Sequence, residues 1–267
     1  MALKIYTKDM RKKLMGGIIP ALLMGLLALY MAVIWPEMAE AMAGFEELMQ
    51  SPIYQAMIGS GILDLELTTF KGVFAAMIGF YLLIFVIIMG MFKGTKLVSQ
   101  EIEKETMDII LSYPIPRWRL LLEKFAVINT YSILFVLFTG LATAGGVAMV
   151  GIKVDMVSIW ITLGAAWFLF YTAYAISLLC GVIFLKSAKS LMAAGGILIF
   201  FLVIDRLGGA VESTEWMTNL SIFSLLDFTS IMSAETLPVV EVIIVFSIGT
   251  TCLIAALVIF ERREITY

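Results

Sequence analysis

Hydrophobic and polar positions fall into long blocks along this chain rather than alternating from residue to residue. Apolar, uncharged stretches are separated by short segments that hold nearly all of the charged residues. A helix needs about 20 such residues, at 1.5 Å per residue, to cross the hydrocarbon core of a bilayer. The pattern predicts six membrane-spanning helices, at about 14–36, 72–92, 125–150, 158–183, 188–206 and 242–260.

The fifth of these predicted spans is the shortest. Its uncharged part, 190–204, reaches the required length only when the residues on both sides lie at the membrane interfaces. Lys186 and Lys189 precede it and can extend their ammonium groups toward the headgroups, while Asp205 and Arg206 follow it. We therefore include it as a span and predict an all-α membrane protein.

The composition agrees with this fold class. Hydrophobic residues make up 61% of the 267 residues, charged residues only 15%, and the mean hydropathy is +1.02. Soluble domains contain about 45–50% apolar residues, so a soluble fold could not bury this much apolar surface. The net charge of −3 gives no indication of a nucleic-acid partner.

The basic residues are distributed unevenly between the two sides of the predicted spans. All 18 except Lys71, Lys153 and Arg206 fall in the N-terminal segment, the loop after the second span, the turn after the fourth span, or the C-terminus. Lysine and arginine concentrate on the cytoplasmic side of membrane proteins. Both termini are therefore expected in the cytoplasm, as an even number of spans requires.

The two long segments on the other side are acidic. They cover 36–71 and 205–241, and each contains an amphipathic stretch, 37–50 and 220–232. We expect the second to form short helices that dip toward the membrane rather than an open loop. An acidic, solvated external cap is one interpretation, and a binding surface for a substrate or partner is the other.

Several kinds of chemistry are excluded by the residue types present. The chain has no histidine, which removes Ser-His-Asp triads, HExxH zinc sites and histidine proton relays. It also has no G-x-x-x-x-G-K-[ST] phosphate loop, so it does not bind ATP in that way. Cys180 and Cys252 lie in apolar runs, where a cysteine behaves as a small hydrophobe.

The segment between the second and third spans, 93–124, is too charged to lie in lipid and too regular for a random loop. Val98, Ile102, Thr106 and Ile109 follow helical spacing, and Ser99 is a suitable residue to cap such a helix. Pro114 and Pro116 predict the break that follows, and Arg117, Trp118 and Arg119 would anchor the next helix at the headgroups. A surface helix that transmits force and an ordinary amphipathic connector both fit this pattern.

Within that segment, the run from Glu101 to Pro114, EIEKETMDIILSYP, resembles the E-x-E-x-G-T-x-E-x-L-L-x-x-P signature of ABC-2 type permeases. Glu105 stands where that family usually has glycine, which leaves the helix boundaries open. The family resemblance extends over 1–267 as a single permease domain, with a basic N-terminal segment similar to the family's interfacial helix. It implies that the segment 97–116 couples to the ATPase through Glu101, Glu103, Thr106, Asp108, Pro114 and Arg117.

The same resemblance implies the function and the partners. Such a permease is the transmembrane subunit of an ABC exporter, pairs with a second permease as a homodimer, and is driven by two ATPase subunits that bind ATP and magnesium. No cofactor is expected on this chain. Because the span middles are nearly free of charge, we expect an amphiphilic cargo such as a drug, lipid or peptide. Tyr81 and Phe85, one turn apart on the second span, are candidates for the path, although ordinary helix packing also explains them.

Other functional classes remain open from the sequence. A secondary transporter or channel without an ATPase would show inverted repeats and charges at the membrane midplane. Met24, Met31 and Met38 recur every seven residues and permit a copper-related ABC system, because thioethers bind Cu(I). An intramembrane enzyme using Glu46 and Glu47 lacks the histidines such enzymes need, and a non-transporting anchor or sensor would not need the charged segment.

Overall fold

The computed structural model describes residues 4–12, 14–49, 69–103, 116–208, 216 and 220–263, with the backbone alone at 4–5, 11–12, 41–49 and 207–208. In chain order the helices are α1 (Lys4–Lys12), α2 (Leu14–Met49), α3 (Phe70–Met89), α4 (Ser99–Glu103), α5 (Arg117–Val150), α6 (Met156–Phe184), α7 (Ser187–Gly208), α8 (Phe228–Ala234) and α9 (Val239–Arg262). No β-strand occurs in these described ranges. The predicted all-α class is confirmed.

Six of these helices are long and apolar enough to cross a membrane, as predicted. The spans cover Leu14–Glu40, Phe70–Gly94, Arg117–Val150, Met156–Phe184, Ser187–Arg206 and Val239–Arg262. Most begin or end a few residues beyond the predicted limits, because charged residues at the interfaces continue the helix. The protein is therefore an integral, multi-pass membrane protein.

The predicted end of the first span, at residue 36, lies well before the end of the helix that contains it. Helix α2 continues without interruption to Met49, and both Pro20 and Pro36 lie inside it. A proline removes one backbone hydrogen bond and crowds the preceding turn, but the rest of a long helix can hold it. The loss of hydropathy after Pro36 marks the end of the apolar stretch, not the end of the helix. Part of the predicted amphipathic stretch 37–50 is thus the continuation of α2.

Helix α6 lies at the centre of the bundle. It packs against α3, α5, α7 and α9, while α2 packs along α5. In its most apolar window 67% of the residues are buried, against 28% for both α7 and α9. The middle of α6 contributes Leu169, Phe170, Ala173 and Tyr174, which are fully buried. Surfaces of α7 and α9 that face away from the bundle remain apolar and uncovered.

The end of α3 approaches α6 unusually closely. It continues as a π-helical turn, Gly90–Gly94, which has a glycine, and therefore no side chain, at each end. A Cβ at Gly94 would lie 2.5 Å from the Cβ of Ser177, and one at Gly181 would lie 2.7 Å from the carbonyl oxygen of Thr95. Larger residues at either position would force the two backbones apart.

At the opposite end of the bundle, the segment before α9 folds inward. A short 3₁₀ turn, Ser224–Leu226, leads into α8, as the amphipathic pattern of 220–232 predicts. Phe228, Ile231 and Met232 are buried, and the side chain of Phe228 packs over Gly79 of α3. The short helices therefore pack into the space between α3 and α6.

Candidate coupling site between α3 and α5

Three helix ends meet at the end of the bundle that carries α4, which we call the basic end. The Arg263 guanidinium donates to the carbonyl oxygens of Val182 and Ile183 at 2.8 and 2.6 Å, at the end of α6. Arg117 in turn donates to the carbonyl oxygen of Arg263 at 2.8 Å. A cation at a helix C-terminus satisfies carbonyls that have no partner inside the helix.

The beginning of α5 is bound by the end of α9 at this same end of the bundle. A Glu261 carboxylate oxygen, near the end of α9, accepts a hydrogen bond from the Trp118 N–H at 3.0 Å. Carboxylates stabilise the N-terminal turn of a helix because its first N–H groups are unpaired. The ends of α5, α6 and α9 are therefore joined by polar contacts, and residues that the sequence distributes widely converge on one end.

Helix α4 is attached to α5 by a buried ion pair. Lys124 is only 2% exposed, and its Nζ lies 3.1 Å from a carboxylate oxygen of Glu101. The same Nζ donates to the carbonyl oxygen of Leu97 at 3.4 Å. A buried ammonium group requires both a counter-charge and hydrogen-bond acceptors, and this arrangement supplies them.

A second attachment links α4 to α7. A carboxylate oxygen of Glu103 accepts the Ser187 N–H at 2.7 Å, at the first residue of α7. The hydrogen bonds from Ser187 hold the pKa of Glu103 below its usual value. The Ser187 hydroxyl also donates to the Ser99 hydroxyl at 3.2 Å, and Ser99 donates to the carbonyl oxygen of Thr95.

The apolar side of α4 and of Val98 just before it faces the bundle, as the pattern predicts, but Glu101, expected on the opposite charged face, turns inward to Lys124. Val98 is fully buried and Ile102 packs against the core, while Glu101 and Glu103 turn toward α5 and α7. Ser99 lies inside the helix, and its hydroxyl donates to a carbonyl of the preceding turn instead of serving as the expected cap.

Three of the predicted coupling residues lie outside the described residues. Thr106, Asp108 and Pro114 fall in 104–115, so the predicted continuation of the surface helix and its break at proline stay predictions. Of the other three, Glu101 and Glu103 make the contacts above, and Arg117 is the first residue of α5, as the Pro116 break predicts.

The two candidate path residues lie on α3 and are partly buried against the core. The ring of Phe85 lies 5.3 Å from that of Phe135 on α5, and the ring of Tyr81 lies 5.8 Å from that of Phe80. Both make the packing contacts expected of any buried aromatic residue. A role in a translocation path stays a prediction.

The described candidate metal ligands of the chain lie apart from one another or within the apolar core. Across the described ranges, no group of three His, Cys, Asp or Glu residues comes together. Of the methionines on α2, Met24 and Met31 are buried and Met38 is partly buried, all within the apolar core. Their observed contacts are those of packing residues.

Sequence reasoning did not foresee several of these contacts. In the sequence, Ser187, Glu261 and Arg263 carry no signal beyond their positions next to predicted spans, and Lys124 none beyond its charge before the third span. One signal pointed to Lys124: it directly precedes a long uncharged run, so its side chain must either reach the interface or find a buried partner. No comparable signal identified the partner.

The comparison with known protein families agrees with the structure. The sequence model of the family described as "ABC-2 family transporter protein" matches residues 3–264. A search of curated proteins gives no significant match. The family match covers all six spans as well as α4 and the segment that follows it. The chain therefore belongs to the ABC-2 transporter family, whose members are the transmembrane components of ABC transporters.

Proposed function

We propose that this chain is the permease subunit of an ATP-driven exporter that moves an amphiphilic cargo outward. Two separate ATPase subunits bind ATP and magnesium and drive two copies of the permease. The observation that carries this proposal is the attachment of α4 to two spans at once: to α5 through Glu101 and Lys124, and to α7 through Glu103 and Ser187. A surface element fixed in this way can pass movement into the bundle.

The first step of the proposed mechanism is docking. An ATPase subunit binds the segment 97–116 at the basic end, which we place in the cytoplasm by the distribution of lysine and arginine. Thr106, Asp108 and Pro114 belong to the docking part of that segment. Glu101 points into the protein and does not contribute to the docking surface.

The second step is transmission. When ATP closes the two ATPase subunits, α4 shifts and takes the beginnings of α5 and α7 with it. The Lys124 ion pair resists separation because a lone charge in that buried position costs several kcal/mol. The glycine contacts at Gly94 and Gly181 keep the end of α3 against α6, so α3 and α6 follow as one unit.

The third step opens the path between two permease copies, a homodimer with alternating access. Uncovered apolar side chains on α2, α7 and α9 face lipid or the second copy, among them Leu26, Phe200 and Ile243. The charged residues of the described spans lie toward their ends, which favours drugs, lipids or apolar peptides over ions as cargo. In this proposal Tyr81 and Phe85 lie beside the path.

The test is to replace Glu103 and follow the ATPase. The tagged chain is expressed with a candidate ABC ATPase from the same genome, and both co-purification and ATP turnover in lipid are measured. We expect Glu103→Lys to lower permease-stimulated turnover by about fivefold or more, because it removes the acceptor that holds Ser187. Glu235→Lys, an exposed change of the same charge at the other end, serves as the control.

The outcomes separate the two roles of the segment. A loss of turnover with intact co-purification assigns Glu103 to transmission, and a loss of both assigns it to docking. Unchanged binding together with unchanged turnover removes this segment from coupling.

A further inference from the structure

Two residues of α6 beside the end of α3 carry buried hydroxyl groups. Ser177 and Tyr174 are fully buried, and neither side-chain hydroxyl has a hydrogen-bond partner among the described residues. They are three positions apart, so they share one face of the helix. A hydroxyl buried in this way gives up its hydrogen bonds to water and gains none in return, which is rare in a stable contact.

Both residues adjoin the π-helical turn, Gly90–Gly94. A Cβ at Gly94 would lie 2.5 Å from the Cβ of Ser177 and 2.9 Å from the carbonyl oxygen of Tyr174. The side chain of Ser177 is therefore directed at the backbone of the turn. Turns of this kind are rare in helices and occur frequently at functional sites.

Small groups meet on both sides of this contact. A Cβ at Gly90 would lie 2.9 Å from the Cβ of Ala173, and Gly181 lies against the backbone of Thr95. We call this contact the glycine seam: Gly90, Gly94 and Thr95 on one side, and Ala173, Ser177 and Gly181 on the other. Small residues bury little apolar area, so this seam costs less to separate than interlocked large side chains would.

The glycine seam is closely packed, yet it leaves polar groups unsatisfied. We propose that it opens in a second conformation, in which water from the basic end reaches the hydroxyls of Ser177 and Tyr174. Opening supplies both hydroxyls with the partners that they lack in the closed seam, and this offsets part of the packing that is lost. The chain then has two conformations, and the closed one is the structure described above.

The seam also has a role in transport, which rests on the proposed function. While ATP holds the two ATPase subunits together, the seam is closed, and α3 and α6 move as one unit. Without nucleotide the ATPase subunits separate, and the seam opens at the basic end, where two hydroxyl groups meet the polar part of an amphiphilic cargo. Opening itself does not require this cycle, because the unpartnered hydroxyls belong to the chain alone.

Opening is measured by the reaction of a cysteine with a water-soluble reagent. Cys180 and Cys252 are replaced by alanine, Ser177→Cys is introduced into the full chain in lipid, and a charged methanethiosulfonate is added. The reaction needs a thiolate in contact with water, so labelling reports the open seam. We expect Ser177→Cys to react about tenfold faster or more than Ser190→Cys, because a closed site reacts only in proportion to its open population.

Ser190 is a matched control at the same end of the bundle. It is also fully buried, but its hydroxyl donates to the carbonyl oxygen of Lys186 at 2.9 Å. It lies in the first turn of α7, whose first residue contacts α4 at the basic end. A general loosening of that end would therefore expose Ser190 at least as readily as Ser177.

Nucleotide then distinguishes the seam from the transport cycle. The labelling of Ser177→Cys is repeated with the candidate ATPase bound, and we expect it to slow about fivefold or more when ATP and vanadate hold the ATPase subunits together. Labelling that ignores nucleotide would contradict the proposed cycle. Selective labelling of the chain alone would still support the opening of the seam.

Removing a hydroxyl tests the cause of the opening. Ser177→Ala deletes a group without a described partner and should raise the unfolding temperature, whereas Ser190→Ala deletes a partnered group and should not. Tyr174→Phe, added to Ser177→Cys, should slow labelling about threefold, because the closed seam no longer contains that hydroxyl.

Two results would overturn the proposal. If Ser177→Cys reacts no faster than Ser190→Cys, either the seam stays closed or the whole end loosens. If Tyr174→Phe leaves the labelling rate unchanged and Ser177→Ala is no more stable than the wild type, the larger sulfur atom has forced the contact apart, and the hydroxyls do not favour opening.

Discussion

The two ends of the helix bundle are held together by different forces. At the basic end a lysine that is almost entirely buried pairs with Glu101, and arginine and glutamate side chains join the ends of α5, α6 and α9. At the opposite end the ion pair between Lys71 and Glu235 is exposed, with 52% of the Glu235 side chain accessible. There α8 is held mainly by buried apolar side chains.

The two kinds of attachment, apolar packing and a buried ion pair, differ in how specific they are. Apolar packing holds α8 in place but does not depend on a specific partner atom. A buried charge pair is different, because losing either member leaves the other charge uncompensated. Attachment at the basic end therefore depends on specific partner atoms. This suits α4 if a partner protein displaces it, because the helix stays bound to α5 while it moves.

The largest effect should come from breaking the buried pair. Lys124→Met removes the almost entirely buried ammonium that pairs with Glu101, and we expect the free energy of unfolding to fall by about 3 kcal/mol. The equivalent change at the opposite end, Lys71→Met, should cost at most about 0.5 kcal/mol because that pair is exposed. Thermal or denaturant unfolding in detergent measures both.

A double variant sharpens this comparison. Adding Glu101→Leu to Lys124→Met also removes the carboxylate that Lys124 neutralised, and much of the lost stability should return. If Lys124→Met and Lys71→Met are equally harmless, the two ends are held by equivalent forces and the contrast is wrong.

The next effect concerns the close contact between the end of α3 and α6. Gly181→Ala places a methyl group 2.7 Å from the Thr95 carbonyl oxygen, and we expect a loss of about 2 kcal/mol, typical of overpacking. Gly164→Ala on the same helix meets nothing within 4 Å and should be neutral or slightly stabilising. The comparison is made by thermal unfolding of the two variants side by side, and equal melting temperatures would show that α3 can move away from α6 at no cost.

The smallest effect belongs to the opposite end. Asp227 accepts hydrogen bonds from the N–H groups of Thr229 and Ser230 at the start of α8, so Asp227→Ala should cost about 1 kcal/mol at pH 7. Desolvation alone would raise the pKa of Asp227, but the hydrogen bonds from Ser230 and Thr229 outweigh it and lower the pKa below its usual 3.8.

This lowered pKa sets the pH dependence. The contribution of the carboxylate is fully present above pH 3.8 and is lost as the pH falls through the lower pKa of the folded state. The stability difference between the wild type and Asp227→Ala should therefore shrink in strong acid. Asp227→Asn retains one acceptor oxygen but puts an NH₂ group in place of the other, which cannot accept, so at pH 7 its stability should fall between those of the wild type and Asp227→Ala, as unfolding curves across this pH range would show.

Much of the fold could be predicted from the sequence because a bilayer imposes strict requirements. Each predicted span lies within a span of the structure, since hydropathy decides which residues lie in lipid. The continuation of α2 past Pro36 was missed because the sequence pattern shows only where the apolar residues end. A helix can continue beyond that point with polar residues.

The candidate site was only partly predictable. The signature residues Glu101 and Glu103 drew attention to α4, and the buried face with Val98 and Ile102 followed from helical spacing. Their partners did not follow, because Lys124 and Ser187 are distant in the sequence and meet α4 only through the packing of α5 and α7.

By itself the sequence determined that this protein lies in the membrane, how many times it crosses, and which loops carry the positive charge. Those properties depend on composition within single segments, which transfer to lipid or water independently of one another. Only the tertiary structure decided that Glu101 faces Lys124, that Glu103 holds the start of α7, and that Arg263 binds the end of α6. Such contacts join residues from different helices, and only the packing of those helices brings the residues together.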